Sequence, residues 1–243
     1  MVYDTAGQSD SAALMGPATG GPQMASSRDA MIDSLRCSID AATPYETPYR
    51  YWTLEDCLPD SSVDEIISLP YDAPSLEGLS GKRELHNATR SYFDADARSR
   101  FPVAESFASA FQSRAVTDAI TTTFGARLDN TYLRIEYALD VEGFWLEPHT
   151  DLGVKMFTML LYLSRDASHG DLGTDIYDAN KKHVGRSPFA ANAAMIFVPS
   201  DTTYHGFEPR PIEGVRRSII VNYVTAEWRA REQLAYPDQP IAA

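Results

Sequence analysis

Cysteine is nearly absent from this chain: Cys37 and Cys57 are the only two among 243 residues. Two unpaired cysteines cannot build a disulfide framework or a thiolate zinc site, so a reducing, cytoplasmic compartment is expected. Basic residues are also few. Lys plus Arg number 21 against 34 Asp plus Glu, a formal net charge of −13 and a pI near 4.7. Such a surface repels phosphate backbones and anionic lipids, which argues against a nucleic-acid or membrane-surface partner. No apolar run approaches the roughly 18 residues that a membrane-spanning helix needs. The N-terminus shows neither a basic region nor an apolar core of the secretory kind. Oligomeric state is not legible.

The chain is long enough for one well-buried core. Residues 1–27, rich in Ala, Gly, Ser and Gln, have no hydrophobic period and read as a flexible tail. Residues 28–243 read as a single domain, with a helical or irregular flanking part over 28–125 and a β-rich core over 130–224. In the flanking part, Met31, Ile32, Leu35 and Ile39 define a helix over 28–41. The segment 43–52 is extended. Ser62 and Glu65 have capping-box spacing for a helix over 62–69, ended by Pro70. Residues 71–101 are polar and irregular, and Arg90, Tyr92 and Phe93 there could serve as a lid. Phe107, Phe111, Val116 and Ile120 mark one or two helices over 103–124, with Gly125 as the stop.

From 130 onward the pattern changes to short β-rich runs at 131–139, 155–163, 174–178, 193–199, 203–208 and 216–224, a spacing that signals an antiparallel sandwich or barrel. A last helix is expected over 226–234.

With five histidines in the chain, their placement is informative. In WLEPHTD, His149 and Asp151 stand two apart before a strong strand, and on extended backbone they share a side. His205 closes the run AMIFVPSDTTYH. Two imidazoles and one carboxylate make a facial triad that leaves three coordination positions open, the arrangement suited to non-haem Fe(II). The competing readings are a hydrogen-bonded surface turn for His149 and Asp151, and a capped strand end for His205. In GVRRSIIV, Arg216 and Ser218 again share a face. A guanidinium beside a hydroxyl is a receptor for a carboxylate. Inside a barrel such an arginine needs an anionic partner, a bound acid or an ion pair to Glu208 or Glu213. His169 and His183 read as solvated loop residues, and His86 as a surface histidine with a substrate role as the alternative.

The ordered set PHTD, apolar strand, glycine-containing turn, FVP, YHGFEP and GVRRS resembles the Fe(II)/2-oxoglutarate-dependent oxygenases, in particular their prolyl-hydroxylase-like branch. The resemblance covers about 130–224. It implies a double-stranded β-helix (jelly-roll, cupin-like) core. It implies His149, Asp151 and His205 as ligands of Fe(II), and Arg216 with Ser218 as the seat of the distal carboxylate of 2-oxoglutarate. Arg217 is the competing anchor, although on a regular strand it points to the opposite face. Tyr137 stands where a cosubstrate-binding tyrosine is expected.

The implied activity is dioxygenase hydroxylation of an unactivated C–H bond, consuming O2 and releasing succinate and CO2, with ascorbate as a supporting reductant. A small-molecule substrate is expected, with Arg134, Trp145, Lys155 and Arg90 as its candidate contacts; Arg134 and Lys155 would suit an anionic one. The alternatives are the same chemistry on a protein or peptide side chain, and a cupin-like metal-binding module or isomerase without oxygenase activity.

Overall fold

The computed structural model describes residues 21–76, 81, 90–151 and 153–242, with side chains from residue 27 onward. Helix α1 (Gly21–Asp40) buries Met31, Leu35 and Ile39. Strands β1 (Thr43–Tyr45) and β2 (Tyr51–Leu54) follow, then α2 (Asp60–Ile67), β3 (Ser91–Tyr92), α3 (Ala95–Arg100), α4 (Pro102–Gln112) and α5 (Arg114–Phe124). The remaining strands are β4 (Tyr132–Asp140), β5 (Leu146–His149), β6 (Lys155–Tyr162), β7 (Asp175–Tyr177), β8 (His183–Arg186), β9 (Ala194–Phe197), β10 (His205–Phe207) and β11 (Arg216–Val224).

These strands form two antiparallel sheets, the larger in the order β1-β2-β9-β6-β11-β4-β3 and the smaller in the order β5-β10-β7-β8. Together they make a double-stranded β-helix. Alternation along the three central strands decides what each face does. On β4, β6 and β11 one face carries Leu133, Ile135, Tyr137, Leu139, Phe157, Met159, Leu161, Ile219, Val221 and Tyr223, which pack into the main core with α1, α4 and α5. The other face carries Arg134, Glu136, Asp140, Thr158, Arg216, Ser218 and Asn222, all buried. One sheet thus has an oily side for the helices and a polar side for the interior of the β-helix. A second apolar cluster, including Phe144, Leu160, Tyr162, Phe197 and Phe207, fills the space between the sheets.

Several local expectations need correction. Of the expected tail, residues 1–20 lie outside the described residues, but 21–27 open α1. Helix α2 starts at Asp60 behind Pro59 (φ −59°), which presets the entry, so Ser62 lies inside the helix and buried rather than at its cap. The last helix is reduced to a short 3-10 turn at Arg231–Gln233, because the chain turns back so that Leu234 bridges Arg134 and the Ala235 N–H donates to the Leu133 carbonyl. Arg90, Tyr92 and Phe93 are no lid. Ser91 and Tyr92 pair with β4, Phe93 is fully buried, and the Arg90 side chain is 3% exposed. Gly125 does end α5, in the left-handed conformation (φ 73°) that glycine tolerates. Among the described residues no helix is long and apolar enough to cross a membrane.

Candidate active site

Strand pairing brings the two histidines together. Strands β5 and β10 run antiparallel with His205 opposite His149, and the imidazole centroids are 4.4 Å apart. Asp151 follows β5 on the same side, with Oδ1 4.0 Å from His205 Nε2. One donor atom from each of His149, Asp151 and His205 lies within 4.8 Å of the others. Close strand approach depends on Gly206: a Cβ there would stand 2.8 Å from the Leu146 carbonyl oxygen and 3.1 Å from that of Glu147. Gly206→Ala is therefore expected to push β5 off β10. It should cost about 1–3 kcal/mol in thermal unfolding and weaken divalent-metal binding in a titration.

The protonation pattern suits a metal. His149 Nδ1 lies 2.8 Å from the Glu147 carbonyl oxygen and His205 Nδ1 lies 3.0 Å from that of Thr203. A carbonyl only accepts, so both rings donate from Nδ1 and leave Nε2 as the ligating atom. Burial, reinforced by the neighbouring His205, lowers the His149 pKa to about 3, so the ring is neutral. Burial opposes ionisation of Asp151, but the Lys155 ammonium, His205 and the Thr158 hydroxyl hold its carboxyl well below the usual range. Lys155 Nζ lies 2.5 Å from Oδ1, and Thr158 Oγ1 donates to Oδ2 at 2.5 Å. Two imidazole nitrogens and one carboxylate, each fixed from behind by a backbone or side-chain partner, fit a ferrous ion.

The same groups carry a pH prediction. His149 is neutral in the fold and protonates near pH 6.5 once unfolded. The unfolded chain therefore binds the extra proton, and stability of the metal-free protein should fall as pH drops from about 6.5 toward 3. Urea unfolding across that range, compared with His149→Gln, checks it: the variant should show a shallower fall.

A small cavity of about 50 Å³ joins this cluster to the proposed carboxylate end, its wall including Arg90, Asp140, Phe144, Arg216 and Ser218. The β4–β11 register pairs Arg216 with Asp140 and Ser218 with Ala138, placing both candidate cosubstrate residues on the cavity face. Arg217 takes the opposite face beside Tyr137. The partner of Arg216 is neither Glu208 nor Glu213. Its Nη1 lies 2.6 Å from Asp140 Oδ2, and its Nε donates to the Leu172 carbonyl at 2.8 Å.

Other candidates are placed differently. Tyr137 is not in the cavity: paired with Ile219, it faces the helices, and its ring packs 5.8 Å from Tyr71 and 6.1 Å from Phe93. An odd-numbered residue of β4 cannot share the face of Asp140. Arg134 is fully buried between the rings of Tyr92 and Trp228, each 4.8 Å away, and is ion-paired to Glu136; it does not line the cavity. Trp145 is half-buried against Gly81, where a Cβ would clash with its ring, and it too is off the cavity wall. Lys155 and Arg90 do line the cavity.

The remaining histidines also differ from expectation. His169 is buried and its Nε2 donates to the Glu213 carbonyl at 2.7 Å. His183 is exposed but bound to Asp175 at 3.1 Å. Asp175, His183 and Glu208 form a second carboxylate–histidine group. There the Asp175 carboxylate is already occupied by Arg186 and Arg210, both at 2.7 Å, and by the Glu208 N–H. His86 lies outside the described residues.

Sequence reasoning missed Asp140, Thr158 and Tyr162. The signal for Asp140 was available: Arg134, Glu136 and Asp140 occupy alternate positions of a strand whose other face is apolar, so they must share one buried face. Tyr162 lies on the same inner face, its ring 5.8 Å from the Arg216 guanidinium and its hydroxyl bonded to Thr174 and Ser187.

No family model and no curated protein matches the chain. Solved structures do. A prolyl 4-hydroxylase from Phytophthora capsici aligns over 84% of this chain and 67% of its own, with a TM-score of 0.55 and 16% identity. A Pseudomonas putida prolyl-4-hydroxylase aligns over 82% of this chain and 98% of its own, with a TM-score of 0.52 and 16% identity. A prolyl hydroxylase from Trichoplax adhaerens, in complex with a hypoxia inducible factor oxygen degradation domain peptide fragment, aligns over 87% and 97%, with a TM-score of 0.51 and 15% identity. The chain has the double-stranded β-helix fold of these prolyl hydroxylases.

Proposed function

We propose that this protein is an Fe(II)- and 2-oxoglutarate-dependent dioxygenase that hydroxylates an unactivated C–H bond. The observation that carries the reading is the convergence, on one cavity, of a His149–Asp151–His205 cluster and a buried guanidinium, Arg216. A metal-binding module that uses no diacid has no need of the second feature.

His149, Asp151 and His205 would hold the iron. Bound iron would supply the open coordination positions and the oxidising chemistry that convert 2-oxoglutarate and O2 into succinate and CO2 as the substrate is hydroxylated. The chain's own groups do the positioning. The Glu147 and Thr203 carbonyls fix the imidazole tautomers, and Lys155 with Thr158 orients Asp151. Arg216 would receive the distal carboxylate, with Ser218 beside it. Phe144, Leu146, Leu160 and Phe207 make that wall apolar and keep water from the reacting atoms.

The apolar part of the cavity wall, Phe144, Leu146, Leu160 and Phe207 around a few polar groups, supports a small-molecule substrate. A peptide side chain is the second reading. It is favoured by an open groove lined by Arg127, Thr150, Gly153 and Ser200, which reaches Asp151 and Lys155 from outside, and by the peptide complex of the Trichoplax neighbour. A turnover screen decides between them. Succinate release with Fe(II), ascorbate and O2 should rise above the uncoupled background with members of an amino-acid, sugar and natural-product panel. A rise only with proline-containing peptides assigns the second reading, and no turnover of 2-oxoglutarate under any condition refutes both.

A further inference from the structure

Five charged side chains form one buried chain beside the cavity. Arg134 Nη2 lies 2.8 Å from Glu136 Oε2, and Arg90 Nε lies 3.1 Å from Glu136 Oε1. Arg90 Nη1 lies 2.5 Å from Asp140 Oδ1, and Arg216 Nη1 lies 2.6 Å from Asp140 Oδ2. None of the five side chains is more than 7% exposed. Among the described residues, three guanidiniums stand against two carboxylates in a place where unbalanced charge is costly.

The two ends of this chain differ. Arg134 has further acceptors in Gln233, Asn222 and Tyr92. Arg90 and Arg216 share the carboxylate of Asp140, one oxygen each, and both line the cavity. The Nη2 of each has no partner among the described residues. Each arginine gives Asp140 only one Nη1 hydrogen, so two forks remain able to donate to a second carboxylate.

Resting on the oxygenase reading above, we infer that the distal carboxylate of the cosubstrate is received by two arginines, Arg216 and Arg90. Arg90 comes from the residue just ahead of β3, outside the segment that carries the family-like motifs. It is a binding residue, and Asp140 is the positioning residue that sets the spacing of the two guanidiniums.

The test compares two keto acids on the full chain loaded with Mn(II), which is redox-inert here, by calorimetry. 2-Oxoglutarate carries the distal carboxylate, and 2-oxopentanoate has the same keto-acid head without it. The wild-type protein should prefer 2-oxoglutarate. Arg90→Gln should weaken 2-oxoglutarate by at least about tenfold, the loss of a charge-assisted bond, and leave 2-oxopentanoate unchanged within about twofold. An Arg90→Gln protein that melts earlier yet keeps the wild-type preference makes Arg90 a structural brace and overturns the inference. Should Arg90→Gln not fold, Arg90→Lys keeps the charge without the fork. It is expected to bind 2-oxoglutarate several-fold more weakly, and unchanged affinity there overturns the inference equally. A wild-type protein that binds neither acid overturns the oxygenase reading and this one together, so the two failures are distinguishable.

Discussion

Replacing Arg216 by alanine is expected to weaken 2-oxoglutarate binding by about a hundredfold to a few thousandfold. Removing one partner of a buried charge pair costs about 3–5 kcal/mol, and each 1.4 kcal/mol is about a factor of ten. The guanidinium is buried and fixed on three sides: by Asp140, by the Leu172 carbonyl and by the Phe207 ring 4.8 Å away. A substitute water cannot reproduce a planar, charged fork in that position. Asp140 keeps Arg90 as a partner at 2.5 Å, so the variant should fold. The KM for 2-oxoglutarate and a direct binding isotherm both read the effect. Near-normal affinity in a folded Arg216→Ala protein contradicts the assignment.

Asp151→Ala is expected to bring 2-oxoglutarate turnover to background, a loss of at least about 100-fold, because even outer partners of metal ligands commonly cost about 10- to 100-fold. Two effects act in the same direction. The substitution removes the one anionic donor of the cluster. It also leaves the buried Lys155 ammonium facing two imidazoles without the carboxylate that holds it at 2.5 Å, which repels a divalent cation. Succinate release from 2-oxoglutarate measures the loss. Retention of half the wild-type rate would place the chemistry elsewhere.

Much of the fold was legible because its signals are local. The stripe of Met31, Leu35 and Ile39, the Gly125 stop and the six β-rich runs each appear close to their expected places. The His149–Asp151–His205 cluster was legible for a related reason: the i, i+2 rule of extended backbone is local, and a strand with its preceding turn carries the third ligand. Legibility ended where pairing partners decide. Strands β3, β5 and β8 are two to four residues long, and they are set by the neighbours they pair with rather than by their own composition. The extended segment 43–52 gave no hint that it would supply the edge strand β1 and the start of its neighbour β2 in the larger sheet.

Tyr137 shows the same limit in the site. The family resemblance suggested the cosubstrate pocket, but strand parity sends the ring to the helical core. Arg90 shows it in reverse. Nothing in an irregular polar stretch marks an arginine as buried, because its two acidic partners, Glu136 and Asp140, come from β4, more than forty residues further along the chain.

Three separated side chains are proposed to grip one ferrous ion, and counting that ion tests the proposal most directly. Protein equilibrated anaerobically with Fe(II) and desalted should retain one iron per chain, and His149→Ala, Asp151→Ala and His205→Ala should each lose it while remaining folded. Iron retained at the same level in all three variants, or no iron in the wild-type protein, contradicts the account.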